Sequence, residues 1–322
     1  MKREEFLNSK QITIAPFALF TAILSVSTAA IFIRFAQETI PSLTIAAYRM
    51  VIASLILFPF TIKKTLKEWK VLNPKSIGLV FLSSILLALH FGSWISSLEY
   101  TKVISSVVLV TTTPIWVAVI SPWLLKEKVP KRFLLGLMIA FLGILLLNFS
   151  GYSSQGGFEF RDVIGNQPQV ILGNLLALVG AFCAAGYVIV GRTLRKQLST
   201  ESYVLSVYSI TGLLLVMLVV LTNGQIVITD ISGLKWLLLI AFIPQVIGHS
   251  LLNWSLGLLP AYSVAISLLG EPIGSSMLAI VFLKEIPSLI EIISSLVILL
   301  GIIIAVTKSK KINKMTHENV QE

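Results

Sequence analysis

Charge is what this sequence has least of. Only 12% of its 322 residues are Asp, Glu, Lys or Arg, while 56% are hydrophobic. A soluble domain carries about 25% charged residues, so an ordinary water-soluble globule is excluded. Acids are the scarcer sign, 15 against 25 Lys and Arg, for a net charge of +10. Such a balance invites a nucleic-acid reading. The basic residues, however, fall in short blocks between apolar runs, the pattern of cytoplasmic loops, and no nucleic-acid partner is expected. One cysteine, Cys183, lies inside an apolar run, which rules out an intrachain disulfide and suggests no redox chemistry. The three histidines, His90, His249 and His317, are too scattered for a zinc site. Gly-Lys-Ser/Thr is absent, so no Walker loop supports ATP-driven pumping. No Ser–His–Asp or paired-carboxylate arrangement can be assembled. Neither an enzyme nor a cofactor is expected.

What is present is a series of long uncharged runs, which predicts an all-α integral membrane protein in a lipid bilayer. Charges bound ten spans: Gln11–Ile33, Ser42–Ile62, Ser76–Leu98, Val103–Leu125, Phe133–Phe149, Val170–Gly191, Tyr203–Thr222, Trp236–Leu258, Ala261–Leu283 and Ser288–Val306. The first reads as a retained span and not a signal peptide. A basic link holds Lys63, Lys64, Lys67, Lys70 and Lys75. Residues 150–169, rich in Gly, Ser, Asn, Gln and Pro, read as a polar loop. Residues 308–322 form a basic tail, expected to be disordered. Ten spans put both termini on one side. With that side cytoplasmic, inside segments hold 19 of the 25 Lys and Arg, so both termini are expected in the cytoplasm.

The chain partly overlays itself when shifted by 158 residues. Ser97-Leu98 falls on Ser255-Leu256, Pro114-Ile115 on Pro272-Ile273, Leu125-Lys126-Glu127 on Leu283-Lys284-Glu285, and Gly143-Ile144 on Gly301-Ile302. Five spans per half is an odd number, so the halves enter the membrane from opposite faces. Two inverted five-helix repeats point to alternating access.

Four features carry a family resemblance. They are Tyr48-Arg49 in the second span, Ser97-Leu98-Glu99-Tyr100-Thr101 after the third, Leu256-Gly257-Leu258-Leu259-Pro260-Ala261 after the eighth, and Glu271-Pro272 followed by Leu283-Lys284-Glu285. With these in order over nearly the whole length, the chain resembles the drug/metabolite transporter superfamily, in its ten-span EamA-like branch. The resemblance implies two EamA-like halves, 1–149 and 170–307. It also implies a central substrate cavity walled mainly by spans three, four, eight and nine, with one and six moving against them. It does not fix a substrate. One departure is that the first half reads Thr112-Thr113-Pro114 where the second reads Gly270-Glu271-Pro272, so only one half carries the carboxylate.

The candidate substrate-binding residues are the polar ones at bilayer depth. Glu271 is the sole charge in Ala261–Leu283, beside a helix breaker. It could bind a cation, a substrate amine or a coupling proton, or serve structurally. Arg49 stays charged and needs a partner, either a substrate carboxylate or phosphate or another helix. His90 and Trp94 share a helix face, as do Gln245, His249 and Asn253, and such stripes avoid lipid. Tyr48 and Tyr262 could add aromatic wall. Pro114, at the centre of its span, and Pro272 are candidate gates. Gly136, Gly143 and Gly301 suit close helix contacts. The expectation is a secondary transporter in the inner (cytoplasmic) membrane, monomer or homodimer. Its small-molecule substrate would be polar or amphipathic, of the amino acid or derivative class, with possible proton coupling. The rival classes are an intramembrane enzyme or lipid-handling protein, and a passive channel.

Overall fold

A backbone in hydrocarbon must satisfy its own hydrogen bonds, so apolar runs of this length fold as helices. The structure, a computed structural model, describes residues 2–101, 106, 109–153, 168–228, 231–275, 278 and 289–306, and among these no strand occurs. The chain starts with α1 (Lys2–Ser27) and α2 (Ala29–Ala36), followed by α3 (Ser42–Trp69), α4 (Pro74–Tyr100), α5 (Thr113–Leu124) and α6 (Lys131–Ser153). Then come α7 (Pro168–Leu194), α8 (Thr200–Leu221), α9 (Ile231–Ile240), α10 (Ser250–Leu258), α11 (Ala261–Ser267) and α12 (Leu289–Val306). Among the described residues six stretches are long and apolar enough to cross a bilayer: Thr13–Ala36, Ser42–Trp69, Pro74–Tyr100, Pro168–Leu194, Thr200–Leu221 and Ser232–Leu258. The starts of α4 and α8 are capped from within, because Asn73 and Ser199 each accept a backbone N–H of the first turn, Ser76 and Ser202 respectively.

Several expected boundaries shift. α3 runs on through Lys63, Lys64 and Lys67, so much of the basic link is helix. Lysine is a good helix former and carries the helix out into water. α6 reaches Ser153 and α7 starts at Pro168, so both ends of the expected 150–169 loop are helical. Its middle, 154–167, lies outside the described residues, as do Leu283-Lys284-Glu285 and the 308–322 tail.

The prolines explain three irregularities. Pro114 is not at the middle of a continuous helix. A turn at Thr111-Thr112 breaks the span, α5 restarts at Thr113, and Pro114 occupies its first turn, where the missing N–H has no partner to lose. The ninth span is interrupted at the equivalent place, by a tighter 3-10 turn at Leu268–Gly270 before helical residues 271–275. In the eighth span Pro244 lies within a wider π-helical stretch, Ala241–His249, between α9 and α10. A proline there cannot bond the carbonyl four residues back, and the widened turn absorbs the mismatch.

The most extensive contacts are α4 on α7, α6 on α12 and α3 on α8. α1 packs on the π-helical stretch and α10, and α5 packs on α11. Small residues permit the α6–α12 approach. A Cβ added at Gly136 would lie 2.6 Å from the Ala305 backbone nitrogen, and one at Gly143 2.9 Å from the Ile298 nitrogen. Backbone cannot retreat as a side chain can. Substituting Gly301→Val should therefore destabilise the fold by about 1–3 kcal/mol or more, seen as a lower melting temperature of the detergent-solubilised protein. Gly78→Val, where nothing lies within 4 Å of a Cβ, should leave it nearly unchanged.

Candidate functional site

The interrupted helices meet around a cavity holding about 870 Å³ of empty space, counting the part open to solvent. Much of its wall is apolar, including Val26, Leu87, Phe91, Val188, Leu252 and Leu269. Set into that wall are Arg49, His90, Trp94, Thr113, Tyr187, His249, Asn253 and Glu271, with Pro114 at its edge. α1, α2 and α7 contribute as well as the helices expected to form it: Val26 and Ala29 from the first span, Ala184 and Tyr187 from the sixth.

Arg49 organises one side. It is fully buried on α3, and its Nε donates to Gln245 Oε1 at 2.7 Å. Its guanidinium carbon lies 4.1 Å from the centre of the Phe91 ring, a cation–π contact that gains strength away from water. Nη1, also buried, has no hydrogen-bond partner. The His90 ring Nδ1 donates to the Gly180 carbonyl at 2.9 Å. A carbonyl can only accept, which fixes the proton on Nδ1 and leaves Nε2 for the cavity. Four residues on, the Trp94 ring stacks on His90 with centroids 6.0 Å apart, and its Nε1 has no partner. His249 meets Phe91 edge-on at 5.4 Å. Asn253 accepts from the Tyr187 hydroxyl at 2.9 Å.

Glu271 stands where the 3-10 turn gives way to helix. Ser27 Oγ donates to its carbonyl at 3.1 Å, and Ser275 Oγ donates back to the Ser27 carbonyl at 2.9 Å, so the end of α1 is bound to the broken ninth span. Among the described residues no ion pair joins Glu271 to Arg49. A guanidinium and a carboxyl group thus line one cavity without touching.

Four expected residues stand elsewhere. Gln245 is spent on Arg49 and is fully buried behind it. Tyr48 donates its hydroxyl to the Ile226 carbonyl near the loop after α8. Tyr262 packs edge-on against Phe133 where the two apolar clusters meet, outside the cavity lining. Pro272 is outside the cavity lining. Sequence reasoning did not anticipate Phe91, Ser27, Thr113 or Tyr187. A buried tyrosine beside an intramembrane polar stripe is a signal for the last, since its hydroxyl needs a partner.

The EamA-like transporter family matches this chain twice, at residues 13–149 and 171–307, and the chain belongs to that family. It is 26% identical over 283 residues to the uncharacterized transporter YetK of Bacillus subtilis (strain 168), covering 85% of this chain and 81% of that one. It is also 26% identical over 276 residues to the uncharacterized transporter YdfC of the same organism, covering 84% of each. A solved crystal structure superposes with a TM-score of 0.72 at 19% identity, over 91% of this chain and 96% of that one, which shows the fold alone. This is a multi-pass membrane transporter and not an enzyme.

The Arg49–Gln245 contact yields a stability prediction. Gln245→Leu leaves a buried guanidinium nitrogen without its acceptor and should cost about 1–3 kcal/mol. The check is the melting temperature in detergent, with Tyr48→Phe as a control at a half-exposed position.

Proposed function

We propose that the chain is a secondary carrier of ten spans in two inverted five-span halves, 1–149 and 170–307. By alternating access it moves a small polar or amphipathic metabolite, an amino acid or derivative, across the cytoplasmic membrane, with both termini in the cytoplasm. Counting α1–α2 as one span and α9 to α10 as one, span one packs on eight and three on six. Two packs on seven, four on nine and five on ten. Adding five to each number returns the same set of pairs, which supports two interchangeable halves. The two broken spans support it too. The turn at Thr111-Thr112 and the 3-10 residues Leu269-Gly270 are 158 positions apart, and discontinuous helices at the midplane are the usual frame of a carrier site.

The observation that carries the substrate class is the pairing of Arg49 and Glu271 across one apolar-walled cavity. The buried Arg49 Nη1 and Trp94 Nε1 lack acceptors, a deficit that a substrate carboxylate can fill. Glu271 supplies the complementary acceptor for an amine or a coupling proton. The apolar wall suits the remainder of an amphipathic molecule.

The test is a flux screen of amino acids and derivatives in proteoliposomes, with and without a proton gradient, for the wild type and Glu271→Gln. The wild type should show saturable flux. Glu271→Gln should lose gradient-driven accumulation by roughly tenfold or more, the scale of an intramembrane acid in a proton path. Arg49→Gln should weaken carboxylate-bearing substrates more than amines. Equal saturable flux in Glu271→Gln at every pH would remove that residue from the mechanism. Non-saturating flux in the wild type would make this a channel.

A further inference from the structure

At one edge of the cavity, the end of the fourth span reaches across to the second half of the chain. Lys126 has a left-handed backbone with φ 56°, rare for a residue with a side chain, and it turns Glu127 inward. Both oxygens of that carboxylate are used. Oε1 pairs with Arg192 Nε at 3.0 Å, and Oε2 accepts the backbone N–H of Ala261 at 3.0 Å. Ala261 is the first residue of α11, where an N–H has no partner inside the helix and a negative charge is favoured.

Arg192 is engaged at a second point. Its Nη1 donates to the Leu256 carbonyl at 2.7 Å. That carbonyl would otherwise accept from residue 260, which is Pro260 and has no N–H to give. Arg195, one turn on, donates Nε to the Asn253 carbonyl at 3.0 Å, and burial draws its guanidinium below the ordinary value. Leu256 and Asn253 both line the cavity. One carboxylate therefore joins the fourth span, the sixth span and the turn between the eighth and ninth, directly at the cavity wall.

This contact differs in kind from the other ion pair nearby. Lys64 and Glu201 meet at 3.1 Å with side chains 50% and 52% exposed, whereas Arg192 and Glu127 are each 15% exposed. The former belongs to the exposed class worth about 0–1 kcal/mol, while the latter is shielded and shared among four groups. The 158-residue shift places Arg34 on Arg192. The Arg34 side chain is exposed, and Glu285, which the same shift places on Glu127, lies outside the described residues.

We propose that Glu127 and Arg192 are positioning residues that hold the cavity closed on the side where the fourth span ends, and that breaking this contact opens that side. This rests on the carrier reading, under which that side is cytoplasmic. The contact suits the task because its parts are one ion pair, one trans cap and one proline-freed carbonyl. All three can be rewetted by water when the spans separate.

Spin labels on Lys128→Cys and Lys196→Cys, in a Cys183→Ala chain, bracket the contact at exposed positions and report its opening by pulsed electron resonance distances. In the parent the shorter distance should dominate. Glu127→Gln keeps an acceptor for Ala261 but loses the charge, and should raise the longer-distance population roughly tenfold. The swap of Glu127→Arg with Arg192→Glu restores the ion pair but neither the acceptor for Ala261 nor the donor for Leu256, and should recover part of the shorter one, which a merely structural defect would not do. Arg192→Lys keeps the charge but loses the forked contact with Leu256 and should fall between, so the proposal stays testable should the first variant not fold. An unchanged distance distribution in folded Glu127→Gln would overturn the proposal while saturable flux upheld the carrier. A shifted distribution without saturable flux of any substrate would uphold the closure and remove the carrier.

Discussion

A guanidinium keeps its charge at any pH the cell offers, so placing Arg49 deep among apolar helices dictates what must surround it. It takes an acceptor from Gln245 and a ring face from Phe91, which ties α3 to α4 and to the π-helical stretch. That stretch exists around Pro244. Gln245 bonds Arg49 outside the cavity lining, while His249 and Asn253 are on the wall. One buried cation thus ties three spans together, and its Nη1, buried without an acceptor, is what the proposed carboxylate preference rests on.

The second constraint is that hydrocarbon supplies no hydrogen bonds to a broken helix. Each interruption is answered by a nearby side chain. Thr113 Oγ1 donates to the Val110 and Ala181 carbonyls beside the turn before α5. Ser27 and Ser275 bind across the break in the ninth span. Glu127 and Arg192 serve the free groups around Pro260. Irregular backbone persists where it borders the cavity or its rim, which is the one setting in which a membrane tolerates it.

Much of this was legible in the residues. Long uncharged runs sufficed for the helices, because period and length alone decide between a spanning helix and anything else. Six of the nine proposed binding residues line one cavity, since polar groups at bilayer depth have nowhere else to go. The failures have common causes. Pro114 was visible as a breaker and Pro244 was passed over, because whether a proline kinks, widens or restarts a helix depends on its neighbours. Tyr48 and Tyr262 looked like wall, yet an aromatic is equally at home against another ring or a loop carbonyl. The Glu127–Arg192 contact spans 65 residues. No local pattern announces it, although Leu125-Lys126-Glu127 stood out as a repeated motif.

The proposed carrier works through a single pocket that is presented to each compartment in turn. Val264 lines that pocket, and a Val264→Cys chain lacking Cys183 can be probed with a membrane-impermeant thiol reagent in vesicles of either orientation. Modification from both faces is expected, and saturating substrate that holds the pocket open to one face should slow reagent confined to the other. Modification from one face alone, under every condition, would contradict the carrier.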